Sequence, residues 1–201
     1  TATVSGTGSA PVTFTYAPIE NWNGSDSFVV QLSDGVLTDE ITVNVTVSAV
    51  NDAPAITQGD GPLTVTMSED GAPTAWAVPT LGATDADTAA VPLTWSVKTA
   101  ASNGTATVSG TGSAPVTFTY SPTENWSGSD SFVVQVSDGD LLDQITVNVT
   151  VIPVNDSPRI TNALSNGDLM TSIPENTATV LNLTATDVES DSLTFSISGV
   201  D

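Results

Sequence analysis

Residues 1 to 52 recur almost unchanged at 105 to 156, an offset of 104 residues. Thr1 to Tyr16 match Thr105 to Tyr120 letter for letter. Beyond them about nine positions differ, among them Ile19/Thr123, Leu32/Val136, Glu40/Gln144 and Ala49/Pro153. A repeat of this length makes each period one structural unit, and a chain of such units is a string rather than a single larger core. A weaker echo links the remaining parts: Val50 to Thr57 aligns with Val154 to Thr161, and Ala83 to Val97 with Ala185 to Ile197. The expected organisation is the C-terminal half of one repeat at 1–53, a complete repeat at 54–157, and the N-terminal half of a third at 158–201. Opening on Thr1, the chain reads as an internal piece of something longer.

Within each repeat the hydrophobic period is two. Val12, Phe14 and Tyr16 alternate with Thr13 and Thr15, and Phe28, Val30 and Leu32 form a second set. Ile41, Val43, Val45 and Val47 alternate with Thr42, Asn44 and Thr46. Leu93, Trp95 and Val97, and Leu193, Phe195 and Ile197, predict further strands, with Gly, Asp, Asn and Pro marking the turns between them. No stretch carries a helical period. Seven or so short, half-polar strands in about 100 residues predict an all-β fold: tandem immunoglobulin-like antiparallel β-sandwiches joined head to tail.

Composition narrows the function. The chain carries 23 acidic residues against two bases, Lys98 and Arg159, for a net charge of −21, and it has neither His nor Cys. That excludes Ser-His-Asp and Cys-based catalysis, thiolate or imidazole zinc sites and the usual haem ligation. Two bases cannot neutralise a phosphate backbone or an anionic lipid surface, so neither nucleic acid nor membrane is an expected partner. No run of 18 apolar residues predicts a membrane span. Oxygen ligands alone remain for a metal, and a hard divalent cation, Ca2+, is the partner that this charge balance calls for.

The acids fall at strand ends and at the repeat junctions. The junction segments are Val50-Asn51-Asp52-Ala53-Pro54 and Val154-Asn155-Asp156-Ser157-Pro158, where proline restrains a short connector. Further acids stand at Glu69 and Asp70, Asp85 and Asp87, Glu175, and Asp187, Glu189 and Asp191. At these residues the chain resembles the cadherin-like repeats of large prokaryotic surface proteins of the RTX-adhesin type. Ile173-Pro174-Glu175-Asn176 resembles the PEN motif, with Ser68-Glu69-Asp70 in its place in the complete repeat. Asp85-Ala86-Asp87 and Asp187-Val188-Glu189 resemble the DxD loop, and the two NDxP segments resemble the end of the DxNDNxP linker. Glu20 and Glu124 stand where cadherins carry DRE, and Asp34 and Asp138 where they carry a further Asp.

The resemblance implies calcium at each junction, held by Glu20, Asn51, Asp52, Asp85, Asp87 and Asp138 at one and by Glu69, Glu124, Asn155, Asp156, Asp187 and Glu189 at the next, with Glu175 opening the third repeat. Ala49 and Pro153 replace the linker's first Asp, and Ala53 and Ser157 its last Asn, so fewer or weaker sites than the three of a vertebrate cadherin are expected. Gathering such carboxylates without a cation would cost on the order of 1 kcal/mol for each like pair at ~4 Å in water.

Three roles outside catalysis are compatible with this pattern, all of them extracellular: a calcium-stiffened rigid spacer, repeats that themselves adhere to one another or to glycans and cell surfaces, and a filament subunit whose half-repeat is completed by the next subunit's strands. An enzyme is not expected, because no cleft flanked by two acids is recognisable and a catalytic segment would not be duplicated nearly unchanged. Asp26 and Asp130, in the repeated Gly-Ser-Asp-Ser-Phe, are read as turn residues. Trp22 and Trp126 are read as packing over the sandwich end, and Tyr16 and Tyr120 as core or corner residues. Sequons at Asn23, Asn44, Asn103, Asn125, Asn148 and Asn182 are what a Thr-rich sequence generates by chance.

Overall fold

The computed structural model describes residues 1–6, 8, 13–87, 92–162, 171–178 and 182–199. Val12 of the first expected strand lies outside them. Among the described residues the regular structure is β-strand only, as the alternation predicts. No helix among them is long and apolar enough to cross a membrane.

Residues 1–53 carry β1 (Ala2–Ser5), β2 (Thr13–Tyr16), β3 (Gly24–Ser33) and β4 (Thr38–Val47). They form two separate antiparallel pairs, β1–β2 and β3–β4. The next segment carries β5 (Ala55–Ile56), β6 (Leu63–Ser68), β7 (Ala83–Thr84), β8 (Thr94–Thr99), β9 (Gly104–Thr111), β10 (Thr117–Pro122), β11 (Gly128–Ser137) and β12 (Leu142–Ile152). Six of these make one sheet in the order β10-β9-β8-β11-β12-β6, and β5 pairs with β7 in a second. All pairs are antiparallel except β12–β6, which runs parallel from Val147↔Leu63 to Ile152↔Ser68.

The six-stranded sheet is bent. Only Thr94↔Thr111 and Trp95↔Gly110 join β8 to β9, and Gly110 has a φ of +130°, where a Cβ would strike Val116. Beyond this bend β9 and β10 supply Val108, Phe118 and Tyr120 to the same core that β11 and β12 face. The Tyr120 ring stacks on Phe132 at 5.9 Å, and Phe118 meets Phe132 edge-on at 6.2 Å. Period-two alternation turns Phe132, Val134 and Val136 of β11 and Ile145, Val147, Val149 and Val151 of β12 inward, each at most 2% exposed. At about 1.5–3 kcal/mol for each fully buried large apolar side chain, this face is what holds the layers together. Trp95 completes it, its indole N–H donating to the Gly112 carbonyl at 2.9 Å.

The same sequence in residues 1–47 has the same pairings without the same burial. Ala2↔Tyr16 and Gly24↔Val47 reproduce Ala106↔Tyr120 and Gly128↔Val151. Yet Phe14 is 51% exposed where Phe118 is 5%, and Ile41 is 65% exposed where Ile145 is 2%. The difference lies in the neighbours, since β3 and β4 have no counterparts of β8 and β6 beside them among the described residues.

The last segment shows the complementary half. β13 (Arg159–Ile160) and β14 (Ala185–Thr186) pair as β5 and β7 do. The expectation of a strand at Leu193, Phe195 and Ile197 is not met, because residues 192–199 form no strand. Their counterpart β8 is held by hydrogen bonds to β11 and β9, and no such partner stands beside them among the described residues. A strand's backbone groups need a neighbour to bond, so period two alone does not make one.

Candidate metal centre

Two junctions gather the acids. At the first, the Asn51-Asp52 connector enters the end of the sandwich formed by the β11–β12 turn and the Asp85-Asp87 loop. Asp138 opens that turn, and its Oδ1 accepts the N–H groups of Asp140 (2.8 Å) and Leu141 (2.7 Å). Its other oxygen accepts the Asn51 side-chain amide at 2.8 Å. The Leu141 N–H, the Asn51 amide and the Asp140 N–H together hold the Asp138 carboxyl below its ordinary range. Asp34, at the matching turn of residues 1–47, bonds Val36 and Leu37 in the same way, so closing this hairpin is the part of the Asp138 role that the repeat shares.

Asp87 Oδ2 accepts the Asp52 N–H at 2.6 Å, and the Asp87 N–H in turn donates to Asp85 Oδ1 at 2.7 Å. Glu20 joins Asp52 and Asp87 in lining a cavity of about 260 Å³ beside Trp22. The first junction thus brings together Asn51 with Asp138, Asp52 with Asp87 and Asp85, and Glu20 at the cavity wall.

The second junction repeats this pattern with different letters. Glu189 Oε2 accepts the Asp156 N–H at 3.0 Å, as Asp87 does for Asp52. Glu69 Oε1 accepts the Val154 N–H at 2.6 Å, which ties the loop after β6 to the connector. The Asn155 side-chain amide donates to the Asp156 carbonyl at 3.0 Å, the contact that Asn51 makes with Asp52. Asp187 Oδ1 accepts the Asp191 N–H at 3.1 Å. Burial and the charges of Asp70, Glu189, Glu69 and Asp187, in that order, push Asp156 above the ordinary carboxylate range. Asp70 is not among the ligands that the motifs assign. Its place directly after Glu69 is the signal that could have found it. Glu124 and Glu175 are exposed, and no hydrogen bond ties either to these groups among the described residues.

Asp85 Oδ2 and Asp156 Oδ2 are buried without a hydrogen-bond partner; among the described residues the other such side-chain oxygen is Gln135 Oε1. A buried carboxylate oxygen with nothing to bond is costly, and one lies at each junction. The donors around them are all hard oxygens, which suits Ca2+ and suits no soft metal. As the side chains stand, no three carboxylates among the described residues converge closely enough to hold an ion by themselves. Carbonyl and amide oxygens of the connectors would therefore have to share the coordination.

The groups outside the junctions have other work. Asp130 is buried and accepts four donors: the Ser102 N–H (3.1 Å), the Asn103 N–H (2.9 Å), the Tyr120 hydroxyl (2.9 Å) and the Ser131 N–H (2.8 Å). Trp126 packs against the core, its ring over Gly128, where a Cβ would meet it at 3.1 Å.

Comparison with known proteins bears on this architecture. The profile of the bacterial Ig domain matches residues 1–46 and 51–150. The chain belongs to the bacterial Ig domain family. Domains of this family are typically non-enzymatic and occur in extracellular surface proteins. The second matched range begins at the Asn51-Asp52 connector, where the Asp52 N–H donates to the Asp87 carboxylate. No curated protein matches the chain. Among solved structures, a variant of the endo-fucoidan hydrolase MfFcnA4 of glycoside hydrolase family 107 shares 18% identity at a TM-score of 0.37, over 79% of this chain and 24% of that one. The related endo-fucoidan hydrolase MfFcnA9 shares 16% at 0.34, over 75% and 26%. The bacterial Ig chain thus spans about a quarter of those proteins, and likeness at this level carries no argument about activity.

Proposed function

We propose that this bacterial Ig chain is a calcium-stiffened spacer within a long extracellular surface protein, built from units at 1–53, 54–157 and 158–201. The observation that carries the reading is the pair of unpartnered buried carboxylate oxygens, Asp85 Oδ2 and Asp156 Oδ2, one at each junction. Asp52, Asp85, Asp87 and Asp138 with Asn51 would hold the ion at the first junction, and Glu69, Asp70, Asp156, Asp187 and Glu189 with Asn155 at the second. Bound calcium supplies positive charge and hard-oxygen coordination there.

The chain's own groups do the rest. The Asp52 and Asp156 N–H groups anchor the connectors to Asp87 and Glu189, and the Val154 N–H anchors to Glu69, so each short connector already has a fixed path. Pro54 and Pro158 restrict it further. A cation bridging both sides of such a connector removes the remaining freedom of angle between neighbours. Extracellular modules bind calcium at ~10⁻⁴–10⁻³ M, a range matched to calcium outside cells.

Small-angle scattering with added calcium and with chelator tests the proposal. A larger maximum dimension and a narrower distance distribution with calcium are expected. The same scattering curve in both conditions would overturn the spacer mechanism. Asp85→Asn and Asp156→Asn should each remove calcium binding at one junction in titration calorimetry.

A further inference from the structure

We propose that the groove between segment 78–81 and β10 is a lateral contact at which two copies of the chain pack side by side, each seating the other's Val116. Every wall of this groove comes from the complete repeat at 54–157, and none of it belongs to the junction sites.

The sequence lays an uncharged side onto a strongly acidic chain. No charged residue occurs at 71–84 or at 99–123, although the net charge is −21. The fold brings these two stretches together. The Ala83 N–H donates to the Ser113 carbonyl at 2.8 Å, and the Trp76 indole N–H reaches the Phe118 carbonyl at 3.4 Å. The Trp76 ring meets Phe118 edge-on at 6.0 Å and Tyr120 at 5.7 Å. Among the described residues β10 is the last strand of its sheet, so its neighbour on the outer side is this uncharged segment and not another strand.

Between the two stretches a groove of about 340 Å³ opens on Val78, Pro79, Leu81, Pro115, Val116 and Phe118. Leu81 and Phe118, each 5% exposed, form its floor, while Val78 and Val116, 62% and 81% exposed, stand at its rim. Val116 is held in place: its N–H donates to the Ser109 carbonyl at 2.9 Å, and its side chain rests where a Cβ on Gly110 would strike it. A preformed apolar groove with a fixed apolar knob on its rim is self-complementary. A two-fold axis puts each knob into the other copy's groove, and the contact closes at two copies.

Charge and spacing both select a second copy as the occupant. A basic partner would be drawn to the carboxylates of the junctions, whereas a partner of −21 is repelled there and meets no charge along the groove. The β9–β10 wall also recurs letter for letter in Thr1 to Tyr16, one wall every 104 residues. Chains lying side by side therefore bring their walls into step, and each contact raises the effective concentration at the next.

Sedimentation equilibrium of the chain in chelator, which leaves the junctions without an ion, tests the contact. A reversible dimer is expected, tightening as added salt screens the repulsion between copies. Val116→Asp should weaken it by about tenfold or more, because the closed contact would bury unpaired carboxylates. Thr146→Asp, which adds the same charge on the exposed outer face of β12, should dimerise nearly as the parent does. Both variants should keep the parent's thermal transition, since neither side chain is buried. In a chain without Cys, Val116→Cys should join two copies through a short bismaleimide and Thr146→Cys should not. A chain that stays monomeric at every salt concentration overturns the proposal. So does a Val116→Asp dimer as tight as the parent's, or a Thr146→Cys chain that cross-links as readily as Val116→Cys.

Discussion

Asp130 takes four donors on one carboxylate, and three of them, Ser102, Asn103 and Tyr120, come from outside its own strand. The repeated Gly-Ser-Asp-Ser-Phe made a structural role legible for Asp26 and Asp130, but not the turn expected of them: both lie inside strands, β3 and β11, whose partners supply the ladder bonds. What the letters could not convey is that Asp130 reaches the Tyr120 hydroxyl and the β8–β9 connection, because that depends on the bend at Gly110. Asp130→Ala leaves several donors without an acceptor and should lower the stability of this segment by about 3 kcal/mol in urea denaturation, whereas Asp130→Asn keeps one acceptor and should cost less. Burial alone would push Asp130 up, but the Asn103 and Ser102 N–H groups, the Tyr120 hydroxyl and the Ser131 N–H outweigh it and hold it below the ordinary value. The stabilisation from its ionised form is therefore present above about pH 4 and is lost as the pH falls through the lower folded value. The partner hydroxyl shifts the other way. Burial, then the hydrogen bond to Asp130, pushes Tyr120 up, and the bond to Asp26 pushes Tyr16 up. These are the two tyrosines of the chain. A spectrophotometric titration should show both tyrosines ionising above the ordinary value near 10, and stability should fall as the pH rises above it toward the folded values.

At the scale of elements, the duplication acts as an internal control on how much a strand owes to its own residues. β3–β4 and β11–β12 form the same hairpin, so period two and the Asp-Gly turn were sufficient to specify it. Burial was not specified by either, because Ile41 and Ile145 have matching local sequences and opposite exposures. Ile145→Ala should cost about 3 kcal/mol, the loss of a buried aliphatic side chain with its cavity, while Ile41→Ala in a dilute monomeric sample should leave the unfolding midpoint nearly unchanged. Leu193, Phe195 and Ile197 make the same point in reverse. Their alternation is as regular as that of β8, yet no strand forms where no hydrogen-bonding neighbour stands among the described residues. The parallel β6–β12 pair was equally invisible beforehand, since a side-chain pattern fixes which face is buried and leaves strand direction to the topology.

Over the whole molecule, the charge of −21 divides into carboxylates already supplied with donors and carboxylates that are not. Asp130 and Asp138 belong to the first group, each held below its ordinary value by N–H and hydroxyl or amide donors. Asp156 belongs to the second, raised by burial and by four acidic neighbours. The fold sets Asp156 beside Glu69, Asp187 and Glu189, which the motifs name, and beside Asp70, which they do not. They could not show that Asp138 spends one oxygen on its own turn, which only the fold displays. A cation that binds the folded junction and not the unfolded chain stabilises it by RT ln(1 + [Ca2+]/Kd). At a concentration ~10–100 times Kd this is about 1.4–2.7 kcal/mol for each site. Calorimetric unfolding of the chain should therefore shift upward by several degrees in calcium and return on chelation. The shift should shrink in Asp156→Asn and persist in Asp26→Asn, whose carboxylate accepts the Tyr16 hydroxyl and the Ser27 N–H within β3. An equal shift in both variants would mean that calcium acts through general screening of the acidic surface, and the junctions would then be hydrogen-bonded connectors without an ion.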